Sequence, residues 1–359
     1  MSLVLPQPPV DETIAFPERA AAYPRLRYMG SKHKLLPWIW QTLAGLEFDS
    51  ALDLFSGTAA VAYLMKSMGK RVIANDFLHF AHNLATATIA NGRHRLDAAQ
   101  VSELRRTRRG RGTFVEKTFT GIFYEKEDLR FLDIFWANLD DLPHPHLRAL
   151  ALASVTRACL KRQPRGVFTV NGGNYDDGRR DLRMSLEEHF IESVAVFNDL
   201  VFDNGQRNVA VRNDAFSVPV TSVDLVYMDP PYVPRADDNC YIKRYHFLEG
   251  LASYWREAGT EIIESSRVKK IAKRFTPFSY RATAADAFDR MFRQFAASTL
   301  VLSYSSNGYP DLDTLVALMR RYKRHVDVVR REHRYHFGTH SGVATDRKLV
   351  AEYLIVGQR

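Results

Sequence analysis

The apolar positions of this chain change period several times, and each change marks an element. "ALDLF" (51–55) and "KRVIAND" (70–76) are short apolar runs bounded by polar residues, as buried strands are. Between them "TAAVAYLMKSM" (58–68) reads as a helix entered through a tight turn. A Trp- and Leu-rich helix from Leu35 to Leu46 precedes the first strand, and another runs from about Phe77 to Asn91. Strand, helix, strand and helix joined by short loops form a βαβ unit, which implies a parallel sheet with right-handed crossovers.

The rhythm then breaks. "EDLRFLDIFWANL" (127–139) places Leu129, Leu132, Phe135, Trp136 and Leu139 on one helical face. Helices are also expected at 146–162 and 185–201, the second opened by Ser185 and Glu188 in a capping-box arrangement. Residues 163–180 read as a loop or hairpin. The span 92–204 is therefore a mainly helical insertion. Strands return at 207–214, 222–228 and 298–306, with helices at 246–257, 283–296 and 311–321. "HVDVVRREHRYHF" and "LVAEYLIVG" read as a long antiparallel pair closing the sheet. The expected organisation is an extended arm at 1–24, an α/β domain from 25–91 and 205–359, and the insertion between its halves.

Composition adds two constraints. The 359 residues carry a formal net charge of +9, which points towards a polyanionic partner. Two cysteines, Cys159 and Cys240, fit no disulfide framework or zinc spacing, so a reducing cytoplasm is expected. No stretch is long and apolar enough for a membrane span.

The candidate chemistry lies where strands end. In "DLFSGTAAV" (53–61) Gly57 lets backbone approach a ligand, and the helix that follows offers free N–H groups. Asp76 ends the next strand, where an acid accepts from ribose hydroxyls. This pairing suits a nicotinamide or flavin nucleotide, or S-adenosylmethionine, although the G-x-G-x-x-G spacing for a pyrophosphate is absent. "RLRYMGSKHKLL" (25–36) places Lys32 at a helix start, where it could meet a carboxylate. "SVDLVYMDPPYVP" (222–234) ends a buried strand on a carboxylate, two prolines and a ring. If the ligand carries a sulfonium methyl and the acceptor is an exocyclic amine on a base, that order has a purpose. Asp229 and the Pro230 carbonyl would accept from the amine's two hydrogens, Pro231 would hold residue 230 extended, and Tyr232 would stack on the base.

Together "RYMGSK" (27–32), "DLFSGTAAV", "ND" (75–76), "ND" (213–214) and "DPPY" (229–232) resemble, in that order, the Dam-like class of DNA adenine-N6 methyltransferases. "YIKRYHFLEGL" (241–251) and "VLSYSS" (301–306) resemble its later segments. The resemblance implies a Rossmann-like S-adenosylmethionine-dependent methyltransferase sheet with an inserted target-recognition domain. It implies that Tyr28, Lys32, Asp53, Phe55, Gly57, Asp76 and Asp229 line the site of S-adenosyl-L-methionine. Asp214 would meet the cofactor's adenine, and Asp229, Pro230 and Tyr232 would handle the target. One departure is Ala59, standing where the family's F-x-G-x-G has its second glycine; a modest loop adjustment is expected.

Double-stranded DNA is the expected partner, held by Arg105, Arg106, Arg108, Arg109, Arg162, Arg165 and Asn171 of the insertion and by Lys269 and Lys270. A monomer or weak dimer is expected. Whether a cognate restriction endonuclease or defence-system components accompany it stays open, as does the recognition sequence. An RNA base methyltransferase and a non-catalytic DNA-binding protein on the same fold are the rival readings. His144 and His146 flank a proline, and His333, His336 and His340 lie near the C-terminus; without carboxylate or cysteine partners nearby, no metal is expected.

Overall fold

The computed structural model describes residues 15–110, 112–169, 178–219, 222–234, 240–334 and 349–359. Its strands are β1 (Ser50–Asp53), β2 (Arg71–Asn75), β3 (Val209–Val211), β4 (Leu225–Met228), β5 (Val233–Pro234), β6 (Thr299–Ser305), β7 (Gly308–Tyr309), β8 (His325–Arg334) and β9 (Leu349–Gln358). Seven of them form one sheet in the order β3-β2-β1-β4-β6-β9-β8, and β5 pairs with β7 beside it. The first five in that order are parallel, whereas β9 runs antiparallel to both β6 and β8. The α/β reading therefore holds, including the closing antiparallel pair as far as Arg334.

Helices cover both faces of the sheet, so its strands alternate between two apolar cores. Ala51, Val72, Leu225, Tyr227 and Val301 belong to one core; Leu52, Ile73, Val226, Met228 and Leu302 belong to the other. Asp224 sets the register of β1 against β4: its Oδ2 accepts from the backbone N–H groups of Asp49 and Ser50 and from Ser50 Oγ, at 3.0, 2.8 and 2.7 Å.

The first core gathers α1 (Glu18–Ala21), α2 (Leu36–Ala44), α3 (Ala60–Ser67) and α4 (His79–Ala85), which a π-turn at Thr86–Ala90 prolongs. It continues without a break into α5 (Ala98–Leu104), α6 (Phe114–Phe119), α7 (Lys126–Leu139) and α8 (Pro145–Arg162). The short α9 (Arg180–Arg183) and then α10 (Leu186–Leu200) follow. The capping box of α10 is formed: Ser185 Oγ accepts from Glu188 N–H, and Glu188 Oε2 accepts from Ser185 N–H. α11 (Tyr241–Ser253) lies on this face too, while α12 (Arg281–Gln294) and α13 (Leu312–Arg320) cover the other.

The structure moves α11 relative to the sequence reading, which placed a helix at 246–257. It starts at Tyr241, breaks locally at Tyr245, and stops because Tyr254 and Trp255 both take left-handed backbone angles. Of the expected N-terminal arm, residues 1–14 lie outside the described residues. Ala20 and Tyr23 beyond them are buried in the first core. Among the described residues no helix is long and apolar enough to cross a membrane.

Candidate active site

The strand order reverses between β1 and β4: the chain builds outward through β2 and β3 on one side, then through β6 on the other. A crevice opens at the carboxyl ends of strands at such a point. Here it is a cavity of about 620 Å³, its open mouth included, lined by Asp53, Asp76 and Asp229 among others. Its floor is stitched by the backbone. Leu54 N–H donates to Tyr227 O, and Ser56 N–H donates to Asn75 O. The Asn75 amide donates to Leu54 O and Asn213 O, tying the turns after β1 and β3 together.

The three carboxylates differ in what they already hold. Asp76 accepts from Gly57 N–H and Leu78 N–H, both at 2.9 Å. Burial raises its carboxyl to about 6 against the pull of those two bonds. Asp53 accepts from Ala62 N–H through Oδ2, while its buried Oδ1 has no partner. Burial, then the charges of Asp229 and Asp76, raise it well above the usual carboxylate range. Asp229 pairs with Lys32 at 2.8 Å, with 19% and 8% of the two side chains exposed. Burial raises Asp229 too, and Lys32 opposes that rise. For Lys32 burial opposes the charge, but Asp229 and Glu352 outweigh it and push the ammonium up to about 12.

The turn into α3 uses left-handed backbone twice, at Gly57 (φ +50°) and Ala59 (φ +61°). Ala59 thus adopts a conformation that glycine reaches more cheaply, and its methyl group is fully buried. At Gly57 a Cβ would sit 3.4 Å from Tyr28 Cε1, so backbone and ring approach closely there. Tyr28 in turn stacks on Tyr245, ring centres 4.6 Å apart. Met29 N–H donates to Tyr245 Oη at 2.6 Å. The break in α11 puts Tyr245 where it can hold the "RYMGSK" loop in this way.

A model of the D12 class N6 adenine-specific DNA methyltransferase family matches residues 28–298, three quarters of the chain. The chain belongs to that family. It is 29% identical over 329 residues to the type II methyltransferase M2.HphI of Haemophilus parahaemolyticus, covering 87% of this chain and 92% of that protein. It is 24% identical over 332 residues to the type II methyltransferase M.NlaIII of Neisseria lactamica, covering 86% and 92%. The modification methylase LlaI of Lactococcus lactis subsp. lactis is 24% identical over 357 residues, which cover 92% of this chain but 54% of that longer protein. This is a DNA methyltransferase of the adenine-N6 type, as the five ordered motifs implied.

Of the residues expected to hold the methyltransferase's cofactor, Tyr28, Lys32, Asp53, Phe55, Gly57, Asp76 and Asp229 all line the one cavity. Lys32, expected to meet the cofactor's carboxylate, lines the cavity and is paired with Asp229 across it. Asp214 lies exposed at the end of β3, outside the cavity lining, and accepts from Phe216 N–H at 3.0 Å. Pro230 is buried, and Pro231 lines the cavity. Tyr232 packs against Tyr304 at 5.2 Å, and a Cβ on Gly308 would come within 3.0 Å of its ring.

The arginines expected to grip DNA are largely engaged within the protein. Arg105 pairs with Glu187 at 2.6 Å, Arg106 with Glu103 at 3.0 Å, and Arg108 with Asp141. Arg162 bonds Asp128 and the Leu182 carbonyl. Lys269 pairs with Glu264, Lys270 is half-buried, Arg109 and Arg165 are exposed, and Asn171 lies outside the described residues.

Sequence reasoning assigned no role to Tyr241 or Tyr245, both aromatic residues of "YIKRYHFLEGL". It also missed Glu249 of that segment, which accepts from the backbone and ring nitrogens of His79 at the start of α4. His94 joins His144 and His146, the ligand atoms of all three within 4.8 Å. Arg93 Nε donates to His94 Nε2 at 3.4 Å, and burial first, then the neighbouring rings, holds His146 below the usual imidazole range.

Proposed function

We propose that this methyltransferase acts at a specific sequence of double-stranded DNA, on N6 of an adenine turned out of the helix, using S-adenosyl-L-methionine bound in the cavity. The observation that carries the reading is the placement of Asp229, the "DPPY" acid, in the same cavity as Gly57 and Asp76. Asp53, Asp76 and Asp229 line it together, Asp229 is paired with Lys32, and Asp53 keeps a buried oxygen without a partner. Acids so placed suit a ligand with a sulfonium and an ammonium group, whose charge would favour their ionised forms. Asp76 and the turn at Gly57 would hold its sugar and approach its chain, and when bound it supplies an electrophilic methyl group.

The protein's own part is orientation and charge. The lone pair of an adenine amine is delocalised into the ring, so the amine is a weak nucleophile. Asp229 and the Pro230 carbonyl would accept its two hydrogens and direct the lone pair into the cavity. Lys32 opposes the rise that burial imposes on Asp229, and so favours the ionised carboxylate, the better acceptor. Tyr232, fixed by Tyr304 and Gly308, would support the base by stacking. Once methylated, N6 is cationic and acidic, and the proton it sheds would pass by way of its acceptor Asp229 to solvent at the open mouth of the cavity.

The described residues of 92–204 enter between β2 and β3 and share the core of α3 and α4, which supports their use as a target-recognition module. The likeness to a type II methyltransferase and a modification methylase supports a place beside a restriction endonuclease. Expression in a host without DNA methylation, followed by mapping of modified bases, tests the reading. N6-methyladenine at one recurring sequence is expected; cytosine modification, or labelling of structured RNA alone by the purified protein, would overturn it.

A further inference from the structure

Phe275 is 65% exposed and Tyr280 43%, and their rings stack with centres 5.2 Å apart and planes 18° from parallel. Two stacked rings facing water are costly to leave uncovered. They are also held in place. Between them the turn Pro277–Ser279 buries Phe278 against Phe55 and Phe216, ring centres 5.5 and 5.6 Å away. Thr283 Oγ1 donates to Pro277 O at 2.7 Å and anchors the turn to α12.

The segment is a strap along the rim of the active-site cavity. At one end the Arg274 guanidinium lies 5.3 Å over Phe77, and Phe77 and Phe55 both line the cavity. At the other end Arg281 lies 4.6 Å over Tyr309, which pairs with Val233, the residue after Tyr232. From Ser265 to Ala285 the sequence contains Arg267, Lys269, Lys270, Lys273, Arg274 and Arg281 and no acid. Positive charge with an exposed, rigid aromatic face, beside the point where a base must be handled, is the chemistry of nucleic-acid stacking.

We propose that Phe275 and Tyr280 form a stacking platform for a base of the substrate DNA next to the extruded adenine, with the strap's cations on the flanking phosphates. This rests on the DNA-methylating reading above and adds a contact outside the insertion. Aromatic faces act without regard to sequence, so the platform would contribute affinity and rate while the bases are read elsewhere.

The test uses the full chain and duplex DNA from a methylation-free host that contains the mapped site. Phe275→Ala is expected to weaken DNA binding roughly tenfold and to slow single-turnover methylation, with Tyr280→Ala acting in the same direction. Affinity for S-adenosylmethionine by calorimetry should be unchanged, as should the slope of DNA affinity against salt concentration, because no phosphate contact is removed. Phe275→Trp should restore binding, which a structural defect would not allow. Unchanged DNA affinity and rate in Phe275→Ala would overturn the platform while leaving the methyltransferase reading intact. Loss of self-association in ultracentrifugation with DNA affinity unchanged would overturn it too, by making the rings a contact between copies. A parent protein that labels no DNA would remove both readings.

Discussion

The cavity and the helical insertion treat charge in opposite ways. In the cavity Asp53 and Asp76 are buried, the partly buried Asp229 is paired with Lys32, and Asp53 Oδ1 has no partner. In the insertion Arg105, Arg106 and Arg108 lie towards solvent and are matched by acids from neighbouring turns and helices. Exposed pairs of that kind contribute under about 1 kcal/mol each and are screened by salt. Buried, under-matched charges cost folding energy, and persist where a ligand or a reaction uses them. The lesson is that the density of charge in a sequence says little about which charges are free to act.

The strongest way to break this comparison is to alter the one acid that the chemistry needs. Asp229→Ala removes an acceptor for the adenine amine without touching phosphate contacts. Single-turnover methylation should fall on the order of a thousandfold, with DNA binding nearly retained. A variant that methylated at parental rate would remove Asp229 from the mechanism.

Lys32→Ala should come next. It leaves Asp229 buried without its counter-charge, so the carboxyl moves further up and the acid limb of the pH–rate profile shifts to higher pH. At neutral pH the rate should drop roughly ten- to a hundredfold and recover in part on raising the pH. A loss of the same size at every pH would indicate a merely structural role.

Asp76→Ala should weaken cofactor binding by about 1.5–3 kcal/mol, the range for hydrogen bonds to a charged group, and leave DNA binding alone. The parent protein offers a companion measurement. Because the Asp76 carboxyl is raised to about 6, the folded chain holds a proton that the unfolded chain has already released. Between its ordinary value of 3.8 and about 6, its contribution to stability therefore falls as pH rises. Affinity for a cationic cofactor should change in the opposite sense, weakening as pH drops through about 6, and calorimetry across that window checks it.

The smallest effects are expected in the insertion and at Ala59. Arg105→Ala breaks an exposed pair with Glu187 and should change the unfolding free energy by less than about 1 kcal/mol in chemical denaturation. A large loss of DNA affinity in that variant would mean that the pair opens to meet phosphate. Ala59→Gly relieves left-handed strain of about 1–2 kcal/mol but removes a buried methyl group, so stability should stay within about 1 kcal/mol.

Much of the sheet was legible because its signals are local. The apolar runs of β1, β2 and β4, the glycine turn at 57 and the acid ending β2 each occupy a few consecutive residues. The boundaries of α11 were not legible. The reason is Tyr245, whose backbone departs from helix where its ring stacks on Tyr28 and its hydroxyl accepts from Met29. Helical periodicity carries no trace of a contact made across the fold.

By itself the sequence determined the strand–turn–helix units, the order of the motifs and hence the family, because these depend on neighbours along the chain. Only the tertiary structure decided which charges meet. Lys32 comes from the loop before α2 and Asp229 from the end of β4, and the strand order brings them to 2.8 Å. Arg105 is matched by Glu187 in the same way, by the packing of the insertion's helices. Electrostatic energy depends on distance and burial, and both are properties of the folded arrangement.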